Sequence, residues 1–250
     1  MPRRLGQHFL FKKSILDRIA EAACGTTAPL AIEIGPGKGS LTEALLGRAE
    51  KLVAVEVDPY LVHYLRQKFA AAIDTGRLIL IEGDILKTDL TQWGPAVLAG
   101  NLPYYITSPI LEKLFSMGDL WVCAVLMMQS EVAHRLTAEP GSRDFGFLTV
   151  QTRLFAKPEI LFEVPRTAFR PPPKVASAVV RLEPARRDLA DRAAFLKFAS
   201  AAFRQKRKTL RNNLAPLYGK DRVDALPEAR NRAEQMSLDQ LIELHRKLSA

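Results

Sequence analysis

Short apolar runs rich in β-branched residues, each separated from the next by a helical stretch, recur through the first two-thirds of the chain: Leu30 to Ile34, Leu52 to Val57, Leu78 to Ile81, Ala96 to Ala99 and Trp121 to Met128. A helix between two strands carries the chain back to the edge it started from, so the alternation predicts a mostly parallel sheet. The runs do not turn polar at every second residue, which is the pattern of strands covered by helices on both faces, the doubly wound α/β arrangement. Two later runs, Glu159 to Val164 and Val175 to Leu182, flank the proline-rich Phe169-Arg170-Pro171-Pro172-Pro173-Lys174. Only about ten residues separate them, too few for a crossover helix, and an antiparallel hairpin is expected.

After Glu183-Pro184 the pattern becomes charged and helical: Asp191 to Phe203, Arg207 to Leu214 and Leu238 to Leu248 carry apolar residues at helical spacing. The expected division is residues 1–184 as an α/β domain and 185–250 as a small all-α domain. No apolar run approaches the roughly 20 residues of a membrane span, and Met1-Pro2-Arg3-Arg4-Leu5-Gly6 lacks the apolar core of a signal peptide. A cytoplasmic, non-membrane protein is expected. Cys24 and Cys123 stand far apart in apolar surroundings without ligand spacing, which predicts buried thiols and no metal site. Lysine and arginine outnumber acids 36 to 27, a formal charge of +9, and the excess clusters at Arg3-Arg4, Lys12-Lys13 and Arg204 to Arg211. Clustering of that kind points to a polyanionic partner.

The chemistry-bearing segments sit where those strands end. Glu33-Ile34-Gly35-Pro36-Gly37-Lys38-Gly39-Ser40 follows the first strand and opens a helix, placing glycines where backbone must approach a nucleotide-like ligand. Ser40 stands where the dinucleotide fingerprint has its third glycine, which argues against NAD. A tight turn in a nonbinding domain stays open for this segment alone. Glu56, 21 positions beyond Gly35, falls where doubly wound folds set an acid against ribose hydroxyls. Asp58 before Pro59 suits a helix cap. Asp84 can accept from an adenine amino group or serve as a turn residue.

Asn101-Leu102-Pro103-Tyr104 combines a side-chain amide, a proline-stiffened turn and an aromatic ring. A planar base can stack on Tyr104 while its amino group donates to the Asn101 side-chain oxygen and the Leu102 carbonyl. Pro103 fixes φ and aims both acceptors. A plain Asn-X-Pro turn is the competing reading of these four residues.

The ordered series Gly6-Gln7-His8-Phe9-Leu10, Glu33 to Thr42, Glu56-Val57-Asp58, Gly83-Asp84, Asn101 to Tyr104 and Phe169 to Val180 resembles the ribosomal RNA adenine dimethyltransferases, close to the bacterial small-subunit type, over nearly the whole chain. The resemblance implies a Rossmann-like S-adenosylmethionine-dependent methyltransferase fold. The implied activity is dimethylation of the 6-amino groups of adjacent adenosines near the 3′ end of small-subunit ribosomal RNA, with S-adenosylhomocysteine as product and a role in subunit biogenesis. It further implies a cofactor site of Gln7, His8, Leu10, Gly35, Gly37, Glu56, Asp84, Ile85 and Asn101. Asn101, Leu102, Pro103 and Tyr104 would form the catalytic turn, with Phe169 packing against the base or the cofactor edge, or simply in the core. RNA contacts are expected from Arg3, Arg4, Lys12, Lys174, Arg204, Lys206, Arg207, Lys208 and Arg211, in a monomer acting on an immature small subunit. Ser130 stands where the family more often has lysine, and Gln205-Lys206 where an arginine-rich pair is usual. A noncatalytic assembly factor and a large-subunit methylase of the resistance type are the competing functions.

Overall fold

The computed structural model describes residues 8–185, 187 and 189–249; Arg3, Arg4 and Gln7 of the expected contacts lie outside them. The strands are β1 (Phe9–Leu10), β2 (Ala28–Ile34), β3 (Ala49–Glu56), β4 (Leu78–Glu82), β5 (Ala96–Asn101), β6 (Trp121–Gln129), β7 (Ala156–Val164), β8 (Phe169–Arg170) and β9 (Ser177–Pro184). The α-helices are α1 (Lys13–Cys24), α2 (Ser40–Leu46), α3 (Pro59–Lys68), α4 (Ala70–Asp74), α5 (Thr107–Ser116), α6 (Ser130–Thr137), α7 (Phe147–Phe155), α8 (Arg192–Ala202), α9 (Leu210–Tyr218), α10 (Lys220–Asp224) and α11 (Leu238–Ser249).

All the expected strands form, and seven join one sheet in the order β4-β3-β2-β5-β6-β9-β7. The neighbours from β4 to β6 pair in parallel, while β9 runs antiparallel to β6. β7 and β9, the expected hairpin partners, lie side by side at the edge. Ala31, Ile32, Leu52, Val53, Leu98 and Ala124 to Met128 are fully shielded, which is why these strands read as continuous apolar runs. β1 and β8 form a separate two-stranded antiparallel ribbon, pairing Phe9 with Arg170 and Leu10 with Phe169. Asp58 caps α3, its Oδ1 accepting the Tyr60 amide at 2.9 Å. Cys24 and Cys123 are free and buried, and burial pushes the Cys24 thiol up to about 11, so it stays protonated and unreactive at neutral pH.

The chain divides into two compact units, residues 1–133 with 158–184 and residues 134–157 with 185–250. The break after Pro184 recurs here. Residues 134–157, expected in the first domain, group instead with the helical unit. The reason is packing: Phe145 and the α7 residues Val150 and Leu154 share one apolar cluster with Phe195, Phe198, Leu214 and Leu241. Helical spacing identifies an apolar face but not its partner. A second correction concerns the basic stretch expected at the start of a helix from Arg207. Residues 203–208 form turns, and α9 begins at Leu210 with Thr209 at its N-cap. The Asn213 amide closes this turn by donating to the carbonyls of Ala202, at 2.7 Å, and Gln205, at 3.2 Å. Among the described residues no helix is long and apolar enough to cross a membrane.

The core of the helical unit holds an ionisable group. His245 is 7% exposed, with the Phe195 and Phe198 rings centred 5.7 and 5.3 Å away. Burial lowers its pKa, partly opposed by Asp191. Protons therefore bind the unfolded chain in preference, and stability drops as pH falls below about 6.5 until the lowered folded value is passed. Hydrogen exchange followed through peptides of this unit should show protection falling from pH 7 to pH 5.5, and His245→Leu should flatten that dependence. Equal pH dependence in both proteins would remove His245 as its source.

Candidate active site

From β2 the sheet extends through β3 and β4 on one side and through β5 and β6 on the other. The carboxyl end of β2 is thus a topological switch point, where diverging loops open a ligand crevice. A cavity of about 320 Å³ lies at this end. Its wall includes His8, Leu10, Gly35, Gly37, Glu56, Asp84, Ile85 and Asn101, which are all the expected cofactor residues apart from Gln7. Leu102, Pro103 and Tyr104 complete the same wall.

Gly35 and Gly37 have φ of 66° and 58°, the left-handed region that side chains disfavour. A Cβ added at Gly37 would come within 3.2 Å of the Phe9 ring, whereas at Gly35 nothing lies within 4 Å. The first glycine leaves room for a ligand beside its backbone, and the second lets Phe9 of β1 lie against the turn. Glu56 ties this turn to the end of β3. Its Oε1 accepts the Val57 and Asp58 amides and its Oε2 the Gly37 amide, each at 3.0 Å. A carboxylate offers about four lone-pair sites, so Oε2 keeps one for a hydroxyl donor. Asp84 directs Oδ1 to the Leu86 amide at 2.9 Å, with Oδ2 left to accept elsewhere.

The amide of Asn101 is oriented by the chain itself. Its Nδ2 donates to the His8 carbonyl at 3.1 Å, which leaves Oδ1 as the acceptor. Leu102 is anchored by its amide to the Met127 carbonyl at 3.0 Å, and Pro103 holds φ at −58°. The Tyr104 hydroxyl pairs with the Ser177 hydroxyl at 2.8 Å, fixing the far end of its ring. The His8 ring lies 6.2 Å from that of Tyr104, at 28° between planes, and its Nδ1 pairs with the Pro171 carbonyl at 2.9 Å. An acceptor and an aromatic plate thus share one rim of the cavity.

Phe169 is placed differently from the expectation that it packs against the base or cofactor. It is 2% exposed in the same core cluster as Leu10 and Val164, and it is not part of the cavity wall. Its pairing with Leu10 across the β1–β8 ribbon sets it in the core, the alternative that the sequence also allowed. The basic residues fall in two groups. Lys12 and Lys174 are exposed in the first unit, and Arg204, Lys206, Arg207 and Lys208 in the turn of the second. Arg211 is held by both carboxylate oxygens of Asp224, and the Lys206 ammonium donates to the Arg143 carbonyl, so these two have partners within the chain.

Sequence reasoning assigns no separate role to Glu33 or Ser177. Glu33 is 1% exposed on the cavity wall, its Oε2 accepting the Thr42 hydroxyl at 2.7 Å. Its Oε1 is shielded and has no hydrogen-bond partner. An acid within an otherwise apolar strand buried on both faces was the available signal. Taken together, a buried carboxyl with one unpartnered oxygen, a hydroxyl acceptor at Glu56 and an amine acceptor at Asp84 fit a ligand with a cationic group, a ribose and an aminopurine, as S-adenosylmethionine has.

Residues 2–248 match the family described as "Ribosomal RNA adenine dimethylase". Proteins named "Ribosomal RNA small subunit methyltransferase A" are similar to this chain. That of Chlorobium phaeobacteroides is 39% identical, covering 98% of this chain and 90% of the relative. That of Parabacteroides distasonis is 42% identical, covering 97% and 91%. Among solved structures, a dimethyladenosine transferase from Plasmodium falciparum superposes with a TM-score of 0.81 at 27% identity, covering 96% of this chain and 98% of the other. The 23S ribosomal RNA methyltransferase ErmE gives 0.76 at 28% identity, covering 97% and 100%.

Proposed function

The chain belongs to the ribosomal RNA adenine dimethylase family, and from that footing we propose that it dimethylates the 6-amino groups of two adjacent adenosines in a loop near the 3′ end of 16S ribosomal RNA. The observation that carries this reading is the Asn101 amide, whose Nδ2 is committed to the His8 carbonyl so that Oδ1 accepts beside the Tyr104 ring. The relatives named for the small ribosomal subunit support its RNA as the substrate; within that reading, the partner we propose is an immature small subunit met in the cytoplasm by a monomeric enzyme.

S-adenosylmethionine supplies an activated methyl group together with its leaving group, which leaves positioning to the protein. His8, Leu10 and Gly35 would hold its methionine end, Gly37 and Glu56 its ribose, and Asp84 and Ile85 its adenine. The target adenine stacks on Tyr104, held at its hydroxyl by Ser177. Its amine donates to Asn101 Oδ1 and the Leu102 carbonyl. Two acceptors pull the amine hydrogens out of conjugation with the ring, localising the nitrogen lone pair as positive charge develops. The methylated amine is a strong acid, and solvent water takes its proton without a dedicated base. A base must leave its stack to reach this turn, at a cost of a few kcal/mol, which favours loop adenines. Lys12, Lys174 and the turn carrying Arg204, Arg207 and Lys208 supply phosphate contacts, which orient RNA without reading bases.

Incubation with methyl-labelled cofactor and immature small subunits, followed by mass spectrometry of digested RNA, should place label in dimethyladenosine of small-subunit RNA. Label appearing only in large-subunit RNA would favour the activity named for ErmE. Binding without label would favour a noncatalytic assembly role.

A further inference from the structure

Glu33 is the one buried acid of the cavity wall for which the proposed reaction has no use. Its carboxyl lies behind the glycine turn at the end of β2, 1% exposed, with a single hydrogen bond from Thr42 and an Oε1 that meets neither solvent nor a donor. A charged carboxylate left this poorly compensated is costly, and such a group neutralises by taking up a proton instead. The charged groups acting on it are Glu56 of β3, which opposes its ionisation, and Lys68 at the end of α3, which favours it weakly. α2 offers only the Thr42 hydroxyl, and α1 contributes the apolar Leu16 and Ile19 to the cavity wall. Burial outweighs the favourable contacts and pushes the Glu33 carboxyl up to about 8. At neutral pH it is therefore mostly an uncharged acid.

On the reading that this cavity takes S-adenosylmethionine, we propose that Glu33 is a proton-linked counter-charge, giving up its proton to solvent when the cationic cofactor enters and taking one back when the neutral-sulfur product replaces it. The balance is simple: one O–H bond of the carboxyl breaks, the proton passes to a buffer base, and the carboxylate faces the positive charge across a low-dielectric wall. The attraction is strong there because little water screens it. S-adenosylhomocysteine keeps the ammonium but lacks the sulfonium charge, so it stabilises the carboxylate less. Affinity for the methyl donor then gains on affinity for the product as pH rises, and acid conditions favour product inhibition.

Titration calorimetry with S-adenosylmethionine and S-adenosylhomocysteine, each in buffers of different ionisation enthalpy, counts the protons released. Wild type at pH 7 should release close to one proton with the methyl donor and clearly less with the product, and donor affinity should rise roughly tenfold per pH unit up to about pH 8. Glu33→Gln keeps the side-chain shape and an acceptor for Thr42, and it should abolish that release and flatten the pH dependence. The other titratable wall groups, His8, Lys38, Glu56, Asp84, Tyr104 and Tyr105, are unchanged in that variant. Wild-type binding without proton release, equal release for the two ligands, or release persisting in Glu33→Gln would each overturn the inference while leaving the cofactor reading standing. Absence of any binding by S-adenosylmethionine would overturn both. The wild-type comparison of the two ligands decides the matter even if the variant folds poorly.

Discussion

Asn101→Ala should lower the single-turnover methyl-transfer rate by about 10²–10³-fold, the effect of removing one preorganised polar contact at a developing charge. The alanine protein loses the Oδ1 acceptor and also the bond that holds the His8 carbonyl to the turn. Asn101→Asp is the sharper test. It restores an acceptor but no donor, so a carboxylate oxygen faces the His8 carbonyl and the two repel. Aspartate should therefore stay nearly as slow as alanine, whereas a simple requirement for any acceptor predicts rescue. A rate within a few-fold of wild type in Asn101→Ala, measured with saturating cofactor and RNA, would remove Asn101 from the reaction, and rescue by aspartate alone would leave it as an acceptor that does not need its bond to the His8 carbonyl.

Glu56→Ala should destabilise the first unit by about 2–4 kcal/mol, because it strips three backbone amides of their acceptor, and should abolish measurable cofactor binding. The three donors are the amides of Gly37, Val57 and Asp58, and the side chain that serves them is 4% exposed. Both tryptophans, Trp93 and Trp121, belong to that unit, so the urea midpoint of their emission reports its stability directly. Glu56→Gln retains one accepting oxygen but turns an amide N–H toward a backbone donor, and it should fall between the two. An unchanged midpoint in Glu56→Ala would mean that water replaces the carboxylate at no cost. The structural role of this side chain would then be void even if ribose recognition survived.

The parallel sheet was legible because its inner strands are buried on both faces, and burial of that kind leaves uninterrupted apolar runs such as Trp121 to Met128. Glu56 and Asn101, which end β3 and β5, and Asp84, two residues past β4, were legible because they stand at the carboxyl ends of strands whose order could be inferred, and one edge of such a sheet gathers its ligands. The β1–β8 ribbon was not legible. Two residues a side are too few to show a period, and their pairing is fixed by partners some 160 positions away. The place of α7 was hidden for a related reason, since Val150 and Leu154 mark a face without naming what covers it. The basic stretch around Lys206 misled because charge carries no periodicity; its turn is decided by the Asn213 side chain reaching back to Ala202 and Gln205. Tyr104 could be expected to stack, but its anchor Ser177 lies across the fold and left no local mark.

The short ribbon also sets a timetable for synthesis. His8 and Leu10 reach their places only against residues 168–171, through the Phe11 amide on the Ala168 carbonyl, the Leu10–Phe169 pair and the His8 ring on the Pro171 carbonyl. At about 5–20 residues per second, the first of these segments waits roughly ten to thirty seconds for the second to be translated. The glycine turn and the Asn101 turn can form in that interval, but the wall that closes over them cannot. Cofactor can therefore stabilise the nascent protein only late, once the chain is built past Pro171, and the apolar faces of Phe9 and Leu10 must until then be kept from other partners.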